Sequence, residues 1–127
     1  MQLTRHTDYA LRLLIQLAGF PGQRVSIGAV AKEQDISQSH LMKVANDLAR
    51  AGFIDAVRGR AGGISLSRPP EEINIGAVVA AMEPHCELVK CSECRLVQGC
   101  GLPGVLSKGI GAFMDVLRGY SLADIIR

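Results

Sequence analysis

The sequence predicts a mainly α-helical chain with one small β-hairpin. Apolar residues recur at helical spacing in three stretches of the first half and again near the C-terminal end. Two short β-prone pieces flank a glycine-rich tip at residues 58–63. With no Trp and only 4% aromatic residues, the core has to be built from Leu, Val, Ile and Ala, which suits packed helices. The 127 residues fit one domain, and a hydrophobic fraction of 48% excludes a disordered chain.

From Thr7 to Ala18, the residues Ala10, Leu13, Leu14 and Leu17 fall on one helical face, and Gly19, Pro21 and Gly22 end the helix. Ser26 caps a second helix, with Ile27, Val30 and Ala31 facing inward. After the short link Asp35-Ile36-Ser37, Ser37 caps a third helix, whose apolar stripe is Leu41, Val44, Ala45 and Leu48. Gly52 stops it in the manner of a left-handed cap. Phe53–Val57 and Ile64–Leu66 form the hairpin. Asn74 caps a short helix through Met82, and Pro84 opens a cysteine-bearing segment from His85 to Gly101. A last helix, Gly104 to Arg118, places Leu106, Ile110, Phe113 and Leu117 on one face. Gly109 and Gly111 weaken it in isolation, so it needs a partner surface.

Two helices joined by a tight turn, the second opening with polar residues, fit a helix-turn-helix, and the hairpin behind them makes it a winged one. Ser39, Lys43, Asn46 and Arg50 lie opposite the apolar stripe, and Gln38 and His40 sit near the helix N-terminus, where a recognition helix meets base edges. Side chains of these types hydrogen-bond base edges or phosphates. The hairpin tip adds Arg58, Gly59 and Arg60: glycine permits close approach, and arginine suits phosphates or a narrow minor groove. Arg5 and Tyr9 are further phosphate contacts or plain surface residues, and His6 and His85 are expected to be exposed. A net charge of +2 is a weak argument for nucleic acid by itself, so the clustering of these groups carries it. A phosphate-cradling nucleotide loop is disfavoured, because no helix follows the Arg-Gly segment directly and its lysine is missing. No nucleophile–base pair or cofactor loop is present, so the expectation is that the chain is not an enzyme.

The four cysteines, Cys86, Cys91, Cys94 and Cys100, are spaced C-x4-C-x2-C-x5-C. The start MQLTRHTDYA has no apolar signal region, and no apolar run approaches the ~18 residues of a membrane span. The expected setting is therefore a reducing cytoplasm, where clustered thiols serve as metal ligands or reactive groups rather than structural disulfides. Zinc uses four thiolates in a tetrahedron, but its sites usually pair two C-x2-C knuckles and only one is present. An iron–sulfur cluster takes four thiolates, or three and another ligand, and a thiol–disulfide switch is the third reading. Spacing alone does not decide between iron–sulfur and zinc.

Several separated motifs agree in order with one family. They are Leu3-Thr-Arg-His-Thr-Asp8-Tyr9-Ala10-Leu11-Arg12, Ile36-Ser37-Gln38-Ser39-His40-Leu41, Val57-Arg58-Gly59-Arg60-Ala61-Gly62-Gly63, and the C-x7-C-x5-C set Cys86, Cys94 and Cys100. Over nearly its whole length the chain resembles the winged-helix iron–sulfur regulators that include IscR, NsrR and RirA, and most of all the NsrR branch. The resemblance implies a bacterial cytoplasmic repressor, homodimeric through its long C-terminal helix, that binds a palindromic operator in double-stranded DNA. It implies a 4Fe–4S cluster (a 2Fe–2S cluster being the alternative) on Cys86, Cys94 and Cys100. In NsrR-type proteins the fourth ligand is an aspartate near the N-terminus of the other subunit, and Asp8 occupies that position. No histidine follows the third cysteine between Gly101 and Lys108, in contrast to other branches. The implied organisation is residues 1–83 for DNA binding, 84–101 for the cluster and 102–127 for dimerisation, within one compact unit. Cys91 is extra to the pattern and rivals Asp8 as the fourth ligand. Ala61 stands where many relatives carry glycine. Nitric oxide is the implied signal, with iron status or redox stress as the alternatives. A DNA-binding protein with structural zinc or a thiol switch, and an electron carrier with no DNA role, are the competing functions.

Overall fold

A computed structural model describes residues 1–85 and 87–126. The first helix, α1 (Arg5–Ala18), begins two residues before the apolar periodicity does, because Thr4 caps it by accepting the Thr7 N–H at 3.3 Å. Ser26 caps α2 (Ile27–Gln34) and Ser37 caps α3 (Gln38–Arg50), as expected from their positions.

Both α2 and α3 end in the same arrangement. Asp35 takes the left-handed conformation (φ 53°), Ile36 N–H donates to Ala31 C=O at 2.9 Å and Asp35 N–H donates to Lys32 C=O at 3.3 Å. At the end of α3, Gly52 is left-handed (φ 87°), Phe53 N–H donates to Leu48 C=O and Gly52 N–H to Ala49 C=O, both at 3.0 Å. The first of these turns aims α3 across α2. The second delivers Phe53 into the core and starts β1 (Ile54–Val57), which pairs antiparallel with β2 (Gly63–Leu66) from Ile54↔Leu66 to Val57↔Gly63. Val25 adds a third edge, exchanging backbone hydrogen bonds with Ile64 at 2.9 and 2.8 Å.

The core lies between α1 and its neighbours. Ala10, Leu13 and Leu14 of α1 are wholly buried, as are Leu41, Val44 and Leu48 of α3. Truncating such a leucine to alanine typically costs about 2–5 kcal/mol. On the other side of α1 packs α4 (Ile75–Met82), capped by Asn74, whose side chain accepts the Ala77 N–H at 3.0 Å.

The long helix α5 (Leu102–Arg118) starts two residues before Gly104, since Pro103 is tolerated in a first turn. Its inward residues are Pro103, Leu106, Ile110, Met114 and Leu117. Phe113 is not among them, which corrects the expected face: it is exposed, and Met114 takes its place. Residues 113 and 114 both continue the spacing from Ile110, and the rotation is decided where α5 meets α4. A Cβ on Gly76 would stand 2.8 Å from Arg118 N and 2.5 Å from its Cγ. Asn74 Nδ2 donates to Arg118 C=O at 2.8 Å, Ile75 N–H to Tyr120 C=O at 3.0 Å, and Leu122 N–H to Ile73 C=O at 2.7 Å. A final helix, α6 (Leu122–Ile125), closes with a capping box from Ser121 and Asp124 and buries Leu122. The C-terminal end of α5 is thus clamped to the body, while its N-terminal half carries the cysteine segment.

Gly76→Ala is expected to destabilise the fold by about 1–3 kcal/mol, because the backbone of Arg118 cannot rotate out of the way. Urea denaturation followed by circular dichroism measures it, and an unchanged midpoint would contradict the clamp.

Candidate functional site

Two groups of chemistry-bearing residues stand out, at opposite ends of the molecule's logic. The first is the outer face of α3. His6, Ser39, His40, Lys43, Asn46, Asp47 and Arg50 line an open polar groove of about 550 Å³. Ser39, Lys43, Asn46 and Arg50 are exposed and His40 is half-buried, so the residues expected to read DNA do share one accessible face. The hydroxyls of Ser37 and Ser39 are hydrogen-bonded at 3.0 Å. Gln38 is exposed at the helix start, and its amide lies over Gly28 of α2, where a Cβ would sit 3.6 Å from it.

His6 departs from expectation. It is partly buried and tied to the reading helix: its Nε2 is 2.9 Å from Asp47 Oδ2, and its ring stacks on His40 at 6.2 Å between centroids. Tyr9 meets His40 edge-on at 4.9 Å. Asp47 also receives Arg50 at 3.2 Å. A carboxylate repels phosphates unless neutralised, and Arg50 is positioned to do that while the His6 ring contacts the other carboxylate oxygen. Sequence periodicity gave no sign of His6. The only hint was an acidic residue, Asp47, on an otherwise neutral and basic face. His85 is exposed, and so is Arg5.

The hairpin tip is exposed at Arg58, Gly59 and Arg60. Gly59 (φ 107°) and Gly63 (φ 143°) adopt backbone conformations that favour glycine. A Cβ on Gly62 would meet Val57 C=O at 2.1 Å. Ala61 carries no such demand, which explains why alanine is accommodated there. Arg24 Nη1 donates to Ala61 C=O at 3.3 Å and braces the tip from below.

The second group is the cysteine segment. Cys86 lies outside the described residues. Cys94 and Cys100 are exposed free thiols and Cys91 is a half-exposed one. Among the described residues, no three His, Cys, Asp or Glu side chains come together as a metal site. Asp8 is part-exposed on the first turn of α1, where Arg12 grips it in a bidentate pair, Nε–Oδ1 at 2.9 Å and Nη2–Oδ2 at 3.0 Å. The donor chemistry nonetheless suits a thiolate-bound group. Leu96 N–H donates to Cys94 Sγ at 3.4 Å, a contact that favours sulfur carrying negative charge. Cys100 stands one residue before the N-cap of α5, Gly101, which offers no side-chain cap, so the helix dipole there favours an anion. Cys91 sits with Leu88, Val89, Leu106 and Ile110 around a cleft of about 520 Å³ against α5.

The chain matches the Rrf2 family, described as an iron-dependent transcriptional regulator, over residues 3–127. The protein belongs to the Rrf2 family of transcriptional regulators. Solved structures agree. A candidate transcriptional regulator from Listeria innocua superposes with a TM-score of 0.82 at 25% identity, over 98% of this chain and 85% of that one. IscR from T. potens gives 0.78 at 25% identity, with the same coverage of 98% and 85%. The oxidised form of CymR from Staphylococcus aureus gives 0.74 at 30% identity, covering 96% of this chain and 93% of that one. In this Rrf2 chain α2 and α3 form the helix-turn-helix, and β1, β2 and their tip form the wing. Among the described residues no helix is long and apolar enough to cross a membrane.

Removing a phosphate contact lowers the slope of log affinity against log salt by ~0.9. Arg58→Ala and Arg60→Ala are each expected to do so, without changing the circular dichroism spectrum, since both residues are exposed. Fluorescence anisotropy across a salt series on duplex DNA measures the slope, and two unchanged slopes would remove the wing from the interface.

Proposed function

We propose that this Rrf2 protein is a homodimeric DNA-binding repressor whose cysteine segment holds a 4Fe–4S cluster that controls operator binding. The ligands are Cys86, Cys94 and Cys100 of one protomer and the partner subunit's Asp8, in the manner of the NsrR branch, with nitric oxide as the signal. In this reading Gln38, Ser39, His40 and Lys43 meet base edges and phosphates in the major groove, while Arg58, Gly59 and Arg60 reach the flanking backbone. Residues 1–83 carry DNA binding, 84–101 the cluster and 102–127 the dimer contact. The protein acts in the cytoplasm, where the thiols stay reduced.

The observation that carries the dimer in this reading is the outer face of α5. Leu102, Val105, Phe113 and Val116 recur at steps of three, eight and three residues, and all are exposed. This stripe lies beside the inward one, so α5 is apolar over more than half its circumference. A second copy of α5 would cover it and bring the exposed Leu96 and Val97 of the cysteine segment toward the partner. A dimer of this kind also sets the spacing of the two reading helices, which must approach about 34 Å to occupy successive major-groove turns.

When bound, the cluster supplies iron atoms reactive toward small molecules. The chain's own contribution is the competition for Asp8. Its carboxylate is held by Arg12 through both oxygens, and service as a ligand would compete with that pair. A carboxylate is harder than a thiolate and suits iron–sulfur iron less well, so Asp8 would be the weakest of the four ligands. Cys91 is the alternative fourth ligand.

A thiol switch is the second reading. It is supported by Cys91, the cysteine extra to the three-ligand pattern, and by the likeness to a CymR solved in an oxidised form.

Anaerobic purification separates the two. The cluster reading expects a brown protein containing iron and sulfide, whose colour is lost in Cys94→Ala and Cys100→Ala and kept in Cys91→Ala. Asp8→Ala is expected to keep the colour and change the rate of bleaching by nitric oxide. A colourless chain that carries only zinc, or none, contradicts the cluster and leaves the thiol switch.

A further inference from the structure

We propose that Glu83 is the positioning residue through which the state of the cysteine segment reaches the DNA-reading helix. This deepens the functional reading above and rests on it. Glu83 caps the end of α4, and Pro84 behind it confines it to extended backbone (φ −83°, ψ 113°). Its Oε2 accepts three hydrogen bonds from the start of α1: Thr7 Oγ1 at 2.6 Å, Thr4 Oγ1 at 3.2 Å and Thr4 N–H at 3.2 Å. Thr7 is wholly buried and is the one buried polar side chain among the described residues. Its hydroxyl therefore depends on Glu83 and on Thr4 Oγ1, 3.2 Å away, for partners.

A carboxylate at this place does two things. It stabilises the positive end of the α1 dipole with charge-assisted bonds, and it ties residue 83 to residues 4 and 7. Only Pro84 and His85 separate it from Cys86. Any change in the path of the chain at the first cysteine is delivered within three residues to a carboxylate fixed on α1.

From there the contacts continue to the DNA face. His6 and Tyr9, beside Thr7 on α1, hold Asp47 and His40 of α3. The buried stripe beneath packs α1 directly against α3. The coupling needs no ligand from a second subunit, so it acts independently of Asp8.

The test uses the full-length dimer, wild type and Glu83→Ala, with duplex DNA affinity and amide exchange over residues 5–12 and 38–50 measured with the cluster loaded and removed. In the wild type the ratio of DNA affinities between the two states differs from one, and exchange on α3 changes with it. Glu83→Ala is expected to retain the cluster's visible absorption and reduce that ratio at least about fivefold. Glu83→Gln, which keeps an accepting oxygen and loses only the charge, falls between the two and covers the case in which the alanine variant does not fold. A merely structural Glu83 would weaken both states equally and leave the ratio unchanged, which overturns the proposal. If the wild type takes up no cluster, the functional reading fails first. The same ratio is then taken between reduced and diamide-oxidised thiols, where the proposal makes the same prediction. A wild-type affinity identical in every cysteine state overturns both.

Discussion

The burial of α1 is the constraint on which the other elements depend. Ala10, Leu13, Leu14 and Leu17 form its inward stripe, and α3, α4, α6 and β2 all pack on the helix. Remove that stripe and the reading helix, the wing and the clamp on α5 lose their shared floor. The helix also gathers several contacts: its first turn carries Asp8, its buried Thr7 is bound by Glu83, and its His6 and Tyr9 meet Asp47 and His40 of α3. One helix of fourteen residues therefore touches both α3 and the residue that leads into the cysteine segment. Close-packed interiors transmit strain, which is the physical basis of the coupling proposed through Glu83.

The second constraint is the clamp at Gly76. Backbone approaches this close are open only to glycine, and they lock the C-terminal end of α5 to the body through Asn74 and Ile75. The N-terminal half of α5 is left to project with the cysteines and an uncovered apolar face. One end of α5 is thus fixed to the body, and the other leaves apolar side chains exposed.

Much of this was legible in the residues. Local chemistry decides the caps, so Ser26, Ser37 and Asn74 fixed three helix starts, and Gly52 fixed an end. The hairpin followed from two short extended pieces on either side of a glycine-rich tip, and the structure shows Gly59 and Gly63 there with positive φ and Gly62 in crowded backbone. What the pattern missed was settled by tertiary contacts. Phe113 and Met114 both continue the apolar spacing from Ile110, and only the docking at Arg118 rotates Met114 inward. The short helix after Ser121 is too brief to show a period, and its stability comes from burying Leu122. His6 and Glu83 look like ordinary surface residues in the sequence. Their partners lie 41 and 76 or more residues away, Asp47 for one and the start of α1 for the other, where no periodicity reaches. The cysteine trio is different again: its spacing left zinc and iron–sulfur open, and membership of the Rrf2 family narrows the activity to transcriptional regulation without choosing the signal.

The most direct test is a titration of anaerobically purified, cluster-loaded protein with nitric oxide, with affinity for its operator duplex followed at constant salt. The account predicts that affinity falls in step with loss of the cluster's absorption, and that the cysteine variants lacking colour sit at the weak-binding end from the start. Operator affinity that is the same before and after the cluster is destroyed would contradict it.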